Sequence, residues 1–210
     1  MNRTFEFCRF TTEPRRLLNG AKGIKTGFAD RAHASGGQLF GCWRSMVGLG
    51  LARDEGIALT AWPDSATANA APAPAIDGLD SAETEALEAT VRPTDDTPPA
   101  YDGVYVFRWF DIADADWPDF RDMSDTAWPN MEEVFDVNIC GFWRSLETAP
   151  PAAKVLLLTR YADLSVWEAS RWWKNPAAEA DASMSRFRKR NEMIKATVAY
   201  PSLLINGDGA

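Results

Sequence analysis

Gly41-Cys42-Trp43-Arg44-Ser45 recurs as Gly141-Phe142-Trp143-Arg144-Ser145, and this repetition decides the fold. The offset is 100 residues (141 minus 41), and it also sets Phe5-Glu6-Phe7 against Tyr105-Val106-Phe107 and Phe10 against Phe110. After the loss of one residue, Leu59-Thr60-Ala61-Trp62-Pro63-Asp64 aligns with Leu158-Thr159-Arg160-Tyr161-Ala162-Asp163. Beyond a longer second helix, Ala89-Thr90-Val91 is set against Ala196-Thr197-Val198. Blocks repeated in one order mark two copies of a single unit.

Period-2 apolar runs separated by helical spacing read as β-α-β-β-α-β in each copy. In the second copy, strands are expected at 104–110, 137–144, 154–161 and 194–200, with helices over 117–135 and from about Ser165. Pro118 suits a first helical turn, whereas Pro129 is expected to split its helix in two. Asp163 and Ser165 are cap candidates for the later helix. The matching segment of the first copy, from Glu13 to Ala34, contains Gly20, Gly23 and Gly27 and is expected to be irregular and opened. This order is the ferredoxin-like split unit, with helices on one face of an antiparallel sheet. The fold expected is therefore α+β: two fused ferredoxin-like repeats that cover each other's bare faces and form a pseudo-dimeric α/β barrel. The proposed boundaries are 1–95 for the first repeat, 96–103 for a Pro- and Asp-rich linker, and 104–210 for the second.

Two resemblances follow from these residues. Trp117, Phe120, Ser124, Ala127-Trp128-Pro129 and Glu133, with Gly141-Phe142-Trp143-Arg144 and Leu157 to Tyr161, resemble NIPSNAP-type members of the dimeric α/β-barrel superfamily. Trp43-Arg44-Ser45-Met46, Gly48, Gly50 and Leu59 to Asp64 are similar to the spheroidene monooxygenase group. The second likeness implies an oxygenase acting on an apolar substrate and associated with haem. The first is equally compatible with a binding protein that does no chemistry, and the fold also serves cofactor-free isomerases, cyclases and lyases.

Composition narrows the partners. Hydrophobic residues make up 46% of the chain, with nine Trp and eleven Phe, a load suited to a core or to a pocket for an apolar or aromatic small molecule. A formal charge of -8 argues against nucleic acid and anionic lipid. No apolar run approaches the roughly 20 residues of a spanning helix. Cys8, Cys42 and Cys140 form no paired motif, and Arg3 and Glu6 interrupt any signal-like opening, which points to the cytoplasm and reduced thiols. A fused pair closes its own barrel, so a monomer and a homodimer are both compatible with the repeat.

No nucleophile elbow, phosphate loop, dinucleotide fingerprint or metal-binding histidine pair is present. His33, the one histidine, is the only histidine available as an axial ligand if haem is bound; it also reads as an exposed loop residue. Without haem, no cofactor is expected. His33, Arg160 and Tyr161 are the candidates for proton transfer. Arg44 and Arg144 sit on equivalent strands and have two readings, contacts to acidic ligand groups such as propionates or local ion pairs at a barrel rim. Trp43, Trp143, Trp172 and Trp173 are the candidate substrate contacts. Alternation allows only one of each Trp-Arg neighbour pair to face the interior. Arg186, Arg188, Lys189 and Arg190 read as a solvated basic helix face.

Overall fold

The structure is a computed structural model that describes residues 4–171 and 188–206. The first unit runs β1 (Thr4–Thr12), α1 (Arg16–Ala34), β2 (Gln38–Ser45), β3 (Glu55–Trp62), α2 (Ser65–Ala70) and β4 (Leu79–Arg92). The second runs β5 (Val104–Ala113), α3 (Trp117–Val134), β6 (Val137–Ser145), β7 (Ala152–Tyr161), α4 (Leu164–Ala169) and β8 (Ala196–Leu204). Residues 93–103 between them carry neither helix nor strand.

All eight strands close into one antiparallel barrel in the order β1-β3-β2-β8-β5-β7-β6-β4. Each unit keeps its four strands contiguous, and two seams join them: β2 on β8, where Trp43 faces Leu204, and β4 on β6, where Ala89 faces Trp143. Closure removes every sheet edge and buries the bare face of both units in one interior. The fused ferredoxin-like barrel expected from the repeat is thus the architecture observed.

Strand registers give the residue equivalences. Leu59 faces Phe7 as Leu158 faces Phe107, and both β2 and β6 slip register just before the repeated glycine, between Leu39 and Gly41 and between Ile139 and Gly141. The last strand corrects the sequence alignment. Glu85 faces Phe7 and Tyr200 faces Phe107, so Glu85 matches Tyr200, and the partner of Ala89 is Leu204 rather than Ala196. The short Ala-Thr-Val identity misled because period-2 strands look alike when slid by an even number of residues.

The repeated pentapeptide acquires a physical reading. Trp43 and Trp143 point inward and fold their six-membered rings back over Gly41 and Gly141, where any Cβ would overlap them. Glycine makes the space, tryptophan fills the barrel, and arginine turns outward. Ser45 closes the strand by donating its hydroxyl to the Leu51 carbonyl, 3.0 Å away. The two indoles reach across the seams: Trp43 meets Tyr105 and Phe107, and Trp143 meets Phe5 and Phe40.

One helix expectation is overturned and another holds only in part. α1 spans 19 residues and is irregular where expected, kinked at the non-helical Gly20, but it is not an opened segment. Each glycine costs about 1 kcal/mol relative to alanine, yet Leu17, Ala21, Ile24, Phe28 and Ala32 form one buried stripe, and Gly27 lets Ile76 approach its backbone. α3 continues through Pro129 from Trp117 to Val134: Phe120, Ser124, Ala127 and Trp128 are buried ahead of the proline, and beyond it Met131 packs on the same cluster while Glu132 accepts from Arg92 and from the Ile139 N–H. Asp64 and Asp163 cap α2 and α4 by accepting from the backbone N–H of Thr67 and Val166. Hydrogen bonds from the Ser165 hydroxyl and that N–H hold the Asp163 carboxyl below its ordinary range.

Candidate active site

Inward positions on each strand form a series that is aromatic in the middle and charged at one end. Along β1 it reads Phe5, Phe7, Arg9, and along β5 Tyr105, Phe107, Trp109, Asp111. The barrel centre is filled: Phe5, Phe7, Phe40, Trp43, Tyr105, Phe107, Trp109 and Trp143 pack with Leu59 and Leu158 in one cluster. Past Phe7 and Trp109 the filling stops. There a cavity of about 360 Å³ opens at the barrel mouth, between β1 and β4 on one side and β5, β7 and β8 on the other.

Its floor is Phe7, Trp109 and Tyr200, and its rim is Arg9, Glu83, Glu85, Asp111 and Lys154. The charges are tied together across the sheet. Lys154 Nζ lies 2.5 Å from Glu85 Oε2 and 4.2 Å from the centre of the Trp109 ring. Arg9 Nη2 lies 2.8 Å from Glu55 Oε1, with its guanidinium 5.1 Å from the Tyr200 ring. The registers make Arg9 equivalent to Trp109, Glu55 to Lys154 and Glu85 to Tyr200. The two networks therefore occupy the same positions with residue types exchanged, so two-fold geometry carries an asymmetric chemical surface. A site with an aromatic floor and a few fixed cations and carboxylates can hold a flat molecule and stabilise negative charge on one of its oxygens.

The residues singled out from sequence scatter elsewhere. His33 is in the last turn of α1, not in a loop, and is exposed; the buried stripe of that helix uses other positions. Arg160 stands at the far end of β7 from Lys154, where its Nε donates to the Asp102 carbonyl at 2.8 Å and its Nη1 pairs with Asp136 at 2.5 Å. Tyr161 faces outward under Trp167, and burial raises its phenol above the usual range. His33, Arg160 and Tyr161 thus lie on three different surfaces. Trp43 and Trp143 are inside but fully buried in the packed centre, so neither touches the cavity. Arg44 and Arg144 face outward and cannot meet across the axis; Arg144 pairs with Asp114 and lies over Trp117. Trp172, Trp173 and Arg186 lie outside the described residues. Arg188 and Lys189 are exposed as expected, but Arg190 is buried.

Haem requires an axial ligand facing an enclosed space. His33 faces solvent. Burial pushes Cys8 and Cys140 up to about 12 and raises Cys42 further, so none of the three is a ready thiolate. The described histidine, cysteines and Tyr161 therefore do not fit an axial ligand. Haemin added to the purified protein is expected to give no Soret band that depends on His33; a band abolished by His33→Ala would reverse this. Among the described residues no cluster of His, Cys, Asp and Glu could hold a metal ion, and no helix is long and apolar enough to cross a membrane.

Fold and mouth together define an α+β barrel of fused ferredoxin-like units with a charged, aromatic-floored opening. No family profile matches the chain, and no curated protein does. Among solved structures it is similar to an anthrone oxidase-like protein (TM-score 0.64, 13% identity, covering 98% of this chain and 92% of that one). It is also similar to a ferredoxin-fold protein from Listeria monocytogenes related to antibiotic biosynthesis monooxygenases (TM-score 0.50, 12%, 98% and 96%). A third neighbour is a chlorite dismutase from Candidatus Nitrospira defluvii (TM-score 0.58, 7%, 97% and 90%). At these identities the likeness shows the fold. The neighbours are of monooxygenase-like and chlorite dismutase types.

Proposed function

We propose that this protein is an oxygenase that oxidises a flat, hydroxylated or keto aromatic molecule at the barrel mouth without haem. The observation that carries this reading is the 360 Å³ cavity, with Trp109, Phe7 and Tyr200 beneath it and Lys154, Glu85, Arg9 and Asp111 around it. Monooxygenase-like neighbours on the same fold support it.

An anthrone is the natural probe. Its ring methylene becomes acidic when the resulting negative charge can spread onto the carbonyl oxygen. Glu85 would accept that proton, and Lys154, already beside Glu85 and over Trp109, would hold the developing oxyanion. The electron-rich carbanion then reacts with dioxygen. One anthrone and one O2 give one anthraquinone and one water, so both atoms of oxygen are accounted for and no external reductant is needed. The aromatic floor excludes water from the face on which the carbanion forms.

The test is oxygen uptake and quinone absorbance with anthrone in metal-free, haem-free buffer. One equivalent of O2 consumed per quinone formed, faster than in buffer alone, supports the proposal. A second reading, a NIPSNAP-like binding protein, is favoured by the packed barrel centre. Retained probe binding with no oxygen uptake would select it and overturn the oxygenase.

A further inference from the structure

The pseudo-two-fold axis divides the barrel mouth into two unlike halves. The registers set Arg9 against Glu83 on β1 and β4, and at the equivalent places of the second unit they set Trp109 against Val198 on β5 and β8. One layer deeper, Glu85 on β4 corresponds to Tyr200 on β8. β4 and β8 stand four strands apart in the closed barrel of eight, so these two walls face each other across the cavity they both line. The β4 wall is acidic and the β8 wall is apolar. Val198 is 43% exposed there, an apolar surface whose burial under a ligand is favourable.

Glu83 and Arg9 are direct cross-strand partners, with Cα atoms about 5 Å apart. They form no ion pair with each other: Arg9 turns to Glu55 through Nη2 and lies over the Tyr200 ring. Among the described residues the Glu83 carboxylate has no hydrogen bond or ion pair, and Arg9 keeps N–H groups that no residue uses. A group that can only accept thus stands beside one that can only donate. A hydroxyl satisfies both, giving its proton to Glu83 and accepting from Arg9. A carboxylate would satisfy Arg9 alone, and it would meet a rim on which Glu83, Glu85 and Asp111 stand against Arg9 and Lys154. An ammonium group would satisfy Glu83 alone and meet Arg9 as a like charge.

We propose that Glu83 and Val198 determine specificity at the barrel mouth: Glu83, together with Arg9, receives a hydroxyl on one edge of the aromatic ligand, and Val198 takes the unsubstituted edge across the barrel. The two walls fix which way round the molecule lies. This inference rests on the mouth being the binding site of the proposed oxygenase, but not on the oxidation itself.

The test is equilibrium dialysis of the full chain under nitrogen against four probes that share one ring system: 2-naphthol, 2-methoxynaphthalene, 2-naphthoate and 2-(aminomethyl)naphthalene. Wild type is expected to hold 2-naphthol about tenfold more tightly than the methyl ether, which lacks the donor, and more tightly than either ion. Glu83→Val installs the residue of the second unit at an exposed, unpaired position; it should fold as wild type does and bind 2-naphthol no better than the ether. Glu83→Gln keeps an acceptor oxygen and should retain part of the preference. Val198→Asp should weaken 2-naphthol and the ether alike. Equal affinity of wild type for 2-naphthol and the ether, an undiminished preference in Glu83→Val, tighter binding of either ion, or unchanged affinity in Val198→Asp would each overturn the proposal. The oxygenase reading fails separately: anthrone left unoxidised by a protein that still selects 2-naphthol through Glu83 would remove that chemistry and support this assignment.

Discussion

Trp143→Ala is expected to destabilise the protein by about 3–5 kcal/mol, the cost of emptying a large aromatic site in a core that cannot collapse onto it. The indole is fully buried and meets Phe5 and Phe40 of the other unit, at ring separations of 5.4 and 6.2 Å. Its strand forms a seam, with Trp143 opposite Ala89 of β4, so the void opens where the two units are joined. Its indole N–H is buried without a hydrogen-bond partner, which makes Trp143→Phe milder, since that change removes an unsatisfied donor together with some packing. Gly141→Ala should cost about 1–3 kcal/mol by overpacking, because its Cβ would overlap the indole. With the indole gone that overlap goes too, so the double variant should lose less than the sum of the two. Equilibrium urea unfolding measures all of this. A Trp143→Ala midpoint within experimental error of wild type would show that the barrel centre is not the cohesive part of the molecule.

At the mouth, Glu85→Gln is expected to lower anthrone turnover by about 10²–10⁴-fold, the usual contribution of a positioned base. Lys154→Met should lower it by about 10²–10³-fold, mainly in kcat, because the oxyanion it stabilises exists only as the reaction proceeds. Methionine retains an unbranched apolar stem over Trp109, so packing is largely kept while the charge is lost. Neither change should unfold the protein. The Lys154–Glu85 pair is partly exposed, with side chains 34% and 15% accessible, and such pairs contribute about 0–1 kcal/mol. His33→Ala, on the outer surface of α1, should leave turnover unchanged. Full activity in Glu85→Gln, with binding intact, would remove the carboxylate from the chemistry.

The site was less legible than the fold for an identifiable reason. Lys154, Glu85, Arg9 and Trp109 come from four strands and belong to no motif, and the repeat comparison pairs Arg9 with Trp109, an unremarkable mismatch in sequence. One signal was available. The inward series Phe5-Phe7 and Tyr105-Phe107-Trp109 turns charged at Arg9 and Asp111, which is how strands record the end of a packed interior. Lys154 against Glu55 breaks the internal symmetry at the cavity, at the opposite end of β7 from Arg160 and Tyr161. Arg190 lay within a basic run whose usual reading is a solvated face; only its seating on Phe110 and Phe120 distinguishes it from Arg188 and Lys189.

Gly41-Cys42-Trp43-Arg44-Ser45 and its repeat were enough, without coordinates, to establish two β-α-β-β-α-β units and to place tryptophan and arginine on opposite faces. Period and spacing are local properties of the chain, and both survive in one dimension. Only the tertiary structure decided that the tryptophans face inward, that α1 and α3 hold as helices despite glycine and proline, and which residue of β4 matches which of β8. Those outcomes depend on burial against partners distant in sequence, and on closure of the barrel, which brings Lys154 of the second unit to Glu85 of the first.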